Sequence, residues 1–174
     1  NNVVSENITI NNAATLAYAT ALGDKLAIVN GNVTIVQGEL DTEALSAVTS
    51  KLVTIVGTVS TTAADTLDFS NLTAVSGNYA VAGHDVDDSA LASVADVTLN
   101  YEGAYSQPAL KTAGAIVITN KTSTVTGTIA VDFSGLTSGT IKDAASAAGT
   151  LNLDSATSVV IGSGAPVISL TAQK

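Results

Sequence analysis

The chain has 174 residues, enough for one domain with a substantial core, and 46% of them are apolar. Fifteen acidic residues against six basic ones give a formal net charge of -9, which excludes binding to a run of phosphates and predicts no nucleic-acid partner. Cysteine is absent, which excludes disulfides and thiolate metal sites, and aromatic residues make up only 3% of the chain. The core is therefore predicted to be thin and regular, built from Ala, Val, Leu and Ile, as stacked β-strands require.

The surface composition predicts a location outside the cell. The polar residues are mainly Thr, Ser, Asn, Gly and Asp, with few Lys, which is typical of secreted bacterial surface proteins. Uncharged apolar stretches such as residues 113–119 are too short to cross a bilayer, so we expect no membrane insertion by this segment. The first residues lack a Met and a basic region, so we expect a mature or excised part of an extracellular, cell-surface protein.

The predicted elements begin with an alternating apolar segment, residues 2–10, which indicates a strand. Residues 12–22 are Ala-rich and predict a short helix, N-capped by Asn12, that covers the end of a stack of strands. Further helical turns are expected after the acidic caps at Asp41 and at Asp87 and Asp88. Short β-branched runs that end in Gly or Asn predict the remaining strands, and residues 165–172 predict a last one.

A repeat runs through the chain. Residues 68–73 (DFSNLT) and 132–137 (DFSGLT) are nearly identical, and residues 151–159 align with residues 67–75. Inward-facing anchor residues, 19 to 27 positions apart, are predicted at Leu22, Leu45, Leu72, Leu91, Leu110, Leu136 and Ala156. Because each unit buries its apolar edge only against its neighbours, the repeat predicts a stack of rungs with loops of variable length on one side.

The pattern Leu/Val-Asp-Phe-Ser-x-Leu-Thr resembles the degenerate leucine-rich-repeat-like coils of receptor L domains and of fungal and bacterial cell-surface proteins. The resemblance covers residues 22–165 and implies a right-handed β-helix that serves recognition or scaffolding, with no catalytic residues to carry over. We therefore predict a mainly all-β chain: a right-handed β-solenoid of about seven irregular rungs with a short N-terminal capping helix. In this single domain, residues 1–21 form the N-terminal strand and cap, 22–165 the rungs, and 166–174 the C-terminal strand.

Two kinds of glycosylation motif occur. Three tripeptides look like the Asp-Ser/Thr-apolar O-glycosylation sites of exported Bacteroidetes proteins, with candidate hydroxyls on Thr66, Ser89 and Ser155. The alternative is that each Asp caps a turn that precedes an inward Leu or Ala. Asn-x-Thr sequons, which matter only in a eukaryotic or archaeal host, occur at Asn7, Asn32, Asn71 and Asn120.

Residues able to support catalysis are scarce. His84 is the one histidine, we interpret it as a solvated loop residue, and no Gly-x-Ser-x-Gly motif occurs. We therefore expect no enzyme activity and no cofactor. Asp85, Asp87 and Asp88 offer hard oxygen ligands and form the candidate calcium site, against the alternative of a solvated acidic loop in which Asp88 caps a turn.

The function is predicted to be structural or adhesive, as a subunit of a surface filament, layer or large repeat adhesin. The terminal segments that would join neighbouring copies or modules contain the assembly candidates Val3, Val4, Ile8, Ile10, Val167, Ile168 and Leu170. The alternative is that both segments pair within their own stack.

Two other functions are kept as hypotheses. One is a cell-surface glycan- or protein-binding module, with loop carboxylates, Tyr101 and Tyr105 on its ligand face. The other is an ice-binding solenoid, for which residues 122–128 are the one Thr-rich run. Ice binding by such a solenoid needs Thr residues aligned from rung to rung, and rungs of uneven length are expected to put them out of register.

Overall fold

The structure is a computed structural model of the chain. It describes residues 2–84, 86–101, 104–106, 112–119, 129–132, 138–143, 149–152, 158–159 and 168–171, and it describes side chains for residues 2–84 and 86–98. The following statements concern those residues.

The chain is mainly β, as predicted, with two α-helices in the described residues. The helices are α1 (Ala13–Leu22) and α2 (Thr42–Thr49), and a 3-10 helix covers Gly23–Ala27. The strands are β1 (Val3–Val4), β2 (Ile8–Ile10), β3 (Ile28–Val29), β4 (Val33–Val36), β5 (Thr54–Ile55), β6 (Val59–Thr62), β7 (Leu67–Asp68), β8 (Ala74–Val75), β9 (Asn78–Gly83), β10 (Val86–Asp87), β11 (Asp96–Tyr101), β12 (Ala104–Ser106), β13 (Thr112–Thr119), β14 (Ile129–Asp132), β15 (Ser138–Asp143), β16 (Gly149–Asn152), β17 (Ser158–Val159) and β18 (Ile168–Thr171).

The described strands form parallel sheets in which each strand pairs with the strands of the preceding and following repeats. The long sheet has eight strands in the order β17-β15-β13-β11-β9-β6-β4-β2. The short sheet has the order β1-β3-β5-β8, a third sheet has the order β12-β14-β16-β18, and β7 pairs with β10. Each of the first four repeats therefore contributes one strand to the short sheet, one to the long sheet, and then a helix or a further strand. Each later repeat contributes, within the described residues, one strand to the long sheet and one to the third sheet.

The register of the long sheet gives the repeat length directly. Successive partners are Ile8, Val33, Val59, Tyr79 and Val97, which lie 25, 26, 20 and 18 residues apart. The pairing stays parallel and continuous although the repeats differ in length. The extra residues of the longer repeats lie outside the long sheet, where α1 and α2 occur in the first two repeats.

Alternation of apolar and polar residues places the core on one face of the first long-sheet strands. In β2, Ile8 and Ile10 are buried and Thr9 is exposed, and the same pattern continues through β4 and β6. The predicted anchors Leu45, Leu72 and Leu91 are each 0% exposed, and Leu22 packs against the core partly buried. The anchors Leu110, Leu136 and Ala156 lie outside the described residues.

Both described helices begin at the predicted caps. Asn12 accepts a hydrogen bond from the Thr15 N–H at 2.9 Å, and the Thr15 hydroxyl accepts one from the Asn12 N–H at 3.1 Å, which completes a capping box. Asp41 accepts from the Ala44 N–H at 2.9 Å at the start of α2. The expected helical turn after Asp87 and Asp88 is a single turn, closed by the Leu91 N–H and the Asp88 carbonyl at 3.0 Å.

Helix α1 covers the N-terminal end of the core. Among the described strands, β2 pairs only with β4, yet Ile8 and Ile10 are just 3% and 1% exposed. Helix α1 contacts β2, and its Tyr18 hydroxyl donates to the Glu6 carboxylate at the turn between β1 and β2. The helix therefore shields apolar side chains of β2, the last strand of the described long sheet at this end.

A column of glycines allows the repeats to approach closely at the turn before the long sheet. A Cβ atom on Gly31 would overlap the Glu6 carbonyl, and one on Gly57 would overlap the Gly31 carbonyl. At Gly77, the corresponding atom would lie 2.8 Å from the Gly57 carbonyl oxygen. The glycines are therefore required by interrepeat packing at this turn.

Candidate functional site

The outward side of the first four long-sheet strands is an uncharged surface of small side chains. We call it the polar face, and its members are exposed or half-buried: Asn7, Thr9, Asn32, Thr34, Val36, Thr58, Ser60, Thr62, Asn78, Ala80 and Ala82. Its central column, Thr9, Thr34, Ser60 and Ala80, is paired in register across all four strands. None of these residues carries a charge, although the chain has a formal net charge of -9.

The polar face ends at the fifth repeat. There Asp96, which is exposed, pairs in register with Asn78. It introduces a carboxylate into the first column of the face, which contains Asn7, Asn32, Thr58 and Asn78. Further along the central column, Lys142 of β15 pairs with Val117 of β13. The uncharged array is thus confined to repeats one to four within the described part of the sheet.

Two asparagine side chains bridge consecutive repeats at the start of the long-sheet strands. Asn7 Oδ1 accepts from the Asn32 N–H at 2.9 Å, and Asn32 Oδ1 accepts from the Thr58 N–H at 2.9 Å. The side chains of these two sequons therefore have a structural role in this column. Sequence reasoning missed the bridges, although the similarity of residues 7–10 (NITI) and 32–35 (NVTI), 25 positions apart, is a detectable signal.

The residues of the candidate calcium cluster differ in exposure. Asp87 is exposed on β10, whereas Asp88 is 1% exposed and its Oδ2 accepts from the Tyr79 hydroxyl at 2.7 Å. Asp85 lies outside the described residues. Within the described residues no group of three His, Cys, Asp or Glu side chains is arranged to hold a metal ion, so the calcium site stays a prediction.

His84 is exposed, at the end of β9. Its Nδ1 lies 3.2 Å from the Thr66 hydroxyl, which belongs to one of the candidate O-glycosylation motifs. Thr66 and Ser89 are both exposed, and Ser155 lies outside the described residues.

A buried amide organises the turn that contains the first O-glycosylation motif. Gln37 is 2% exposed, and its Oε1 accepts from the N–H groups of Ala64 and Asp65 at 3.0 and 3.2 Å. Its Nε2 donates to the Thr42 hydroxyl at 2.9 Å and to Asp65 Oδ2 at 3.1 Å. The Thr42 hydroxyl also donates to Asp65 Oδ2 at 2.8 Å, so the Asp65 carboxylate joins the start of α2 to the turn before β7. Sequence reasoning did not identify this cluster.

The N-terminal assembly candidates lie mostly in the core. Val4, Ile8 and Ile10 are buried, and Val3 is 36% exposed on the outward side of β1. Strands β1 and β2 pair within their own chain, with β3 and β4.

The C-terminal assembly candidates belong to β18 or lie beyond the described residues. Ile168 and Leu170 are in β18, which pairs with β16, and Val167 lies outside the described residues. At both termini, therefore, the described strands pair within the stack. Each also ends a sheet, with one side of its backbone unpaired by any other described strand.

The ligand-face candidates are placed only by their backbone. Tyr101 ends β11 and Tyr105 is the middle residue of β12, and the side chains of both lie outside the described part of the structure.

A separate open groove of about 360 Å³ crosses repeats one to three, lined by Asn2, Asp24, Ala27, Ser50, Lys51, Val53 and Asn71. Lys51 Nζ lies 3.0 Å from Asp24 Oδ1 in this groove, which pairs the two charges found there. The groove brings together no group that would activate a nucleophile.

Comparison with protein-family models, with curated proteins and with solved structures finds no match to this chain. In the described residues, no helix combines the length and the apolar character that a membrane crossing needs.

Proposed function

We propose that this chain is a non-enzymatic structural or adhesive module of an extracellular surface protein, folded as a right-handed β-solenoid. The observation that carries the proposal is the parallel pairing of the long sheet from β2 to β17, in which each strand belongs to a new repeat and the register shifts at Thr112–Ala115 of β13. A stack of this kind gains surface and length by adding repeats, which suits a module that spans or displays rather than one that encloses a substrate. The likeness of residues 68–73 and 132–137 to leucine-rich-repeat-like cell-surface coils supports the same proposal.

The N-terminal end of the described sheets suggests how the module is used. Helix α1 covers the core at the N-terminal end, so direct core-to-core stacking of copies at that end is disfavoured. The outer backbone edges of β1 and β2 remain places where a strand of a neighbour can pair. These features favour a module within a large repeat adhesin, or lateral association in a layer, over a filament that grows by core stacking.

Negative-stain electron microscopy of the purified chain, with mass photometry to count subunits, tests association. Ordered filaments or sheets with a fixed repeat support edge-to-edge assembly. Val3→Lys places a charge on the edge strand β1 and is expected to abolish the assemblies. Val53→Lys is the matched control, because Val53 is equally exposed, at 36%, and lies beside β5 in the middle of the short sheet.

A monodisperse monomer at high concentration that also fails to associate with its neighbouring modules contradicts the assembly role. In that case the second function, a cell-surface module that binds a glycan or a protein, becomes the better proposal. The groove lined by Asn2, Asp24, Lys51 and Asn71 favours it, because it offers polar groups in a concave surface. Tandem copies of this unit in the parent gene product favour the array, and one copy beside an anchor favours recognition.

A further inference from the structure

We infer that the polar face binds the surface of ice. The inference deepens the proposed adhesive function, since it names what the module would adhere to, and it rests on the face itself rather than on assembly. Four observations carry it: the regular register of the face, its lack of charge, its lack of rings, and the hydrogen bonds that hold its asparagine side chains.

The register makes the polar face a two-dimensional array. Neighbouring strands of a parallel sheet lie about 4.8 Å apart, and outward residues along one strand recur about every 6.6 Å. The column Thr9, Thr34, Ser60 and Ala80 keeps this order across four strands, although the repeats between them range from 20 to 26 residues. Uneven repeat length therefore does not break the ladder, contrary to the sequence-based expectation, because the extra residues lie outside the long sheet.

The chemistry of the array suits crystalline water. Its groups are hydroxyls, carboxamides and methyls, and no carboxylate or ammonium belongs to it, although acidic residues are abundant elsewhere in the chain. An ionic group would organise water around its own charge, whereas small neutral hydroxyls and methyls fit between rows of oxygen atoms whose separations are comparable with those of the array. Each contact with the lattice is weak, but many contacts made at the same time give a stable complex.

A sugar polymer is a poorer fit to the same face. Tyr79, the aromatic residue of β9, points into the core and is 0% exposed, and no outward residue of the polar face has a ring. Without stacking on a ring, hydrogen bonds to sugar hydroxyls only replace hydrogen bonds to water and contribute little net free energy. The face therefore favours a partner that is itself a lattice.

The asparagine side chains of the first column are held in place before any partner arrives. Asn7 and Asn32 each accept a hydrogen bond from the backbone of the next repeat, at 2.9 Å in both cases. Asn78 Oδ1, in the same column, accepts at 3.4 Å from the hydroxyl of Thr98, a residue of the fifth repeat that lies outside the polar face. Preorganised groups lose little entropy on binding, so many small contacts can give a stable complex.

The test is incorporation of the dye-labelled chain into slowly growing ice, together with inhibition of ice recrystallisation. The wild-type chain is expected to enter the ice, and Thr34→Tyr, which places a ring at the centre of the face, is expected to be excluded. Thr54→Tyr is the matched control on the outward side of β5, because Ile55 beside it is buried and Thr54 belongs to the short sheet. Thr9→Tyr, at an exposed position of the same column, replaces Thr34→Tyr if that variant does not fold, as judged by circular dichroism.

Exclusion of the wild-type chain from ice overturns the inference. So does incorporation of the folded face variants at the wild-type level, or a loss of incorporation that is equal in Thr54→Tyr. Binding to insoluble cellulose or chitin without binding to ice also overturns it. Electron microscopy of the same samples separates the two proposals, because filaments that do not enter ice refute this inference alone, and monomers that enter ice refute the assembly role alone.

Discussion

Thr61 is a polar residue at a position of the core that its neighbours fill with apolar side chains. It is 1% exposed on the inward side of β6, between its register partners Ile35 and Val81, which are 0% and 1% exposed. Among the described residues its hydroxyl has no hydrogen-bond partner. We predict that Thr61→Val, which keeps the branched shape and removes the hydroxyl, raises the free energy of unfolding.

The magnitude follows from the cost of the buried hydroxyl. An unsatisfied buried polar group costs about 1–3 kcal/mol, and the added methyl buries further apolar surface worth about 0.8 kcal/mol. We therefore expect a gain of about 1–2 kcal/mol, since part of the cost is relieved by local adjustment around the hydroxyl.

Urea denaturation followed by circular dichroism measures this gain as a higher midpoint at an unchanged slope. Thr62→Val is the control, because it makes the same chemical change at the next residue, which is exposed. It is expected to change the free energy of unfolding by less than about 0.5 kcal/mol. A Thr61→Val variant no more stable than the wild type would refute the reasoning, because it would mean that the hydroxyl has a partner or that the site does not tolerate the methyl.

Three further predictions test other parts of the stack. Gln37→Ala leaves the N–H groups of Ala64 and Asp65 without their acceptor, so thermal or urea unfolding should show a free energy of unfolding lower by about 3 kcal/mol. An unchanged midpoint would mean that water replaces the amide. Gly57→Ala places a methyl against the Gly31 carbonyl and should lower the free energy of unfolding by about 2–3 kcal/mol. The control Gly38→Ala should cost less, because φ is +50° there but no atom lies within 4 Å of the added methyl. If urea denaturation gave the opposite order of stability, it would contradict the interrepeat packing described for this turn. The hydrogen bond to Glu6, then partial desolvation and the charge of the carboxylate, raise the pKa of Tyr18 above its ordinary value of 10.0, so the contact stabilises the fold below pH 10.0 and is lost as the pH rises through the raised pKa. The difference in ultraviolet absorbance between the wild type and Tyr18→Phe should therefore titrate with a midpoint above pH 10.0. A midpoint at or below 10.0 would argue against the contact.

Local patterns in the sequence identified the elements whose cause is local. Alternation in residues 2–10 predicted strands, and Asn12 and Asp41 predicted the beginnings of both described helices, because a cap needs only the N–H groups two or three residues further along the chain. The predicted anchors Leu72 and Leu91 occupy equivalent buried positions, each two residues before the bridged pair Ala74 and Ser93. The register of β5 with β8 places Leu52 opposite Leu72, whereas the predicted anchor Leu45 is buried in α2.

The sequence also led to a wrong expectation about register. Rungs of uneven length were expected to break a ladder, but the extra residues lie outside the long sheet, and the central column of the polar face stays in line from Thr9 to Ala80. The length of a repeat does not reveal where its extra residues are placed.

By itself, the sequence determined a mainly β chain with a repeat and a helix N-capped by Asn12. It also determined a composition with a net negative charge in which most polar residues are uncharged. Only the tertiary structure decided which residues of successive repeats meet: Asn7 with Asn32, Gln37 with Asp65, and Thr61 between Ile35 and Val81. The physical reason is that these partners lie 20 to 28 residues apart, and their contact depends on the register that packing of the whole stack selects. The polar face is a product of that register, because it exists only when the outward residues of separate repeats are aligned.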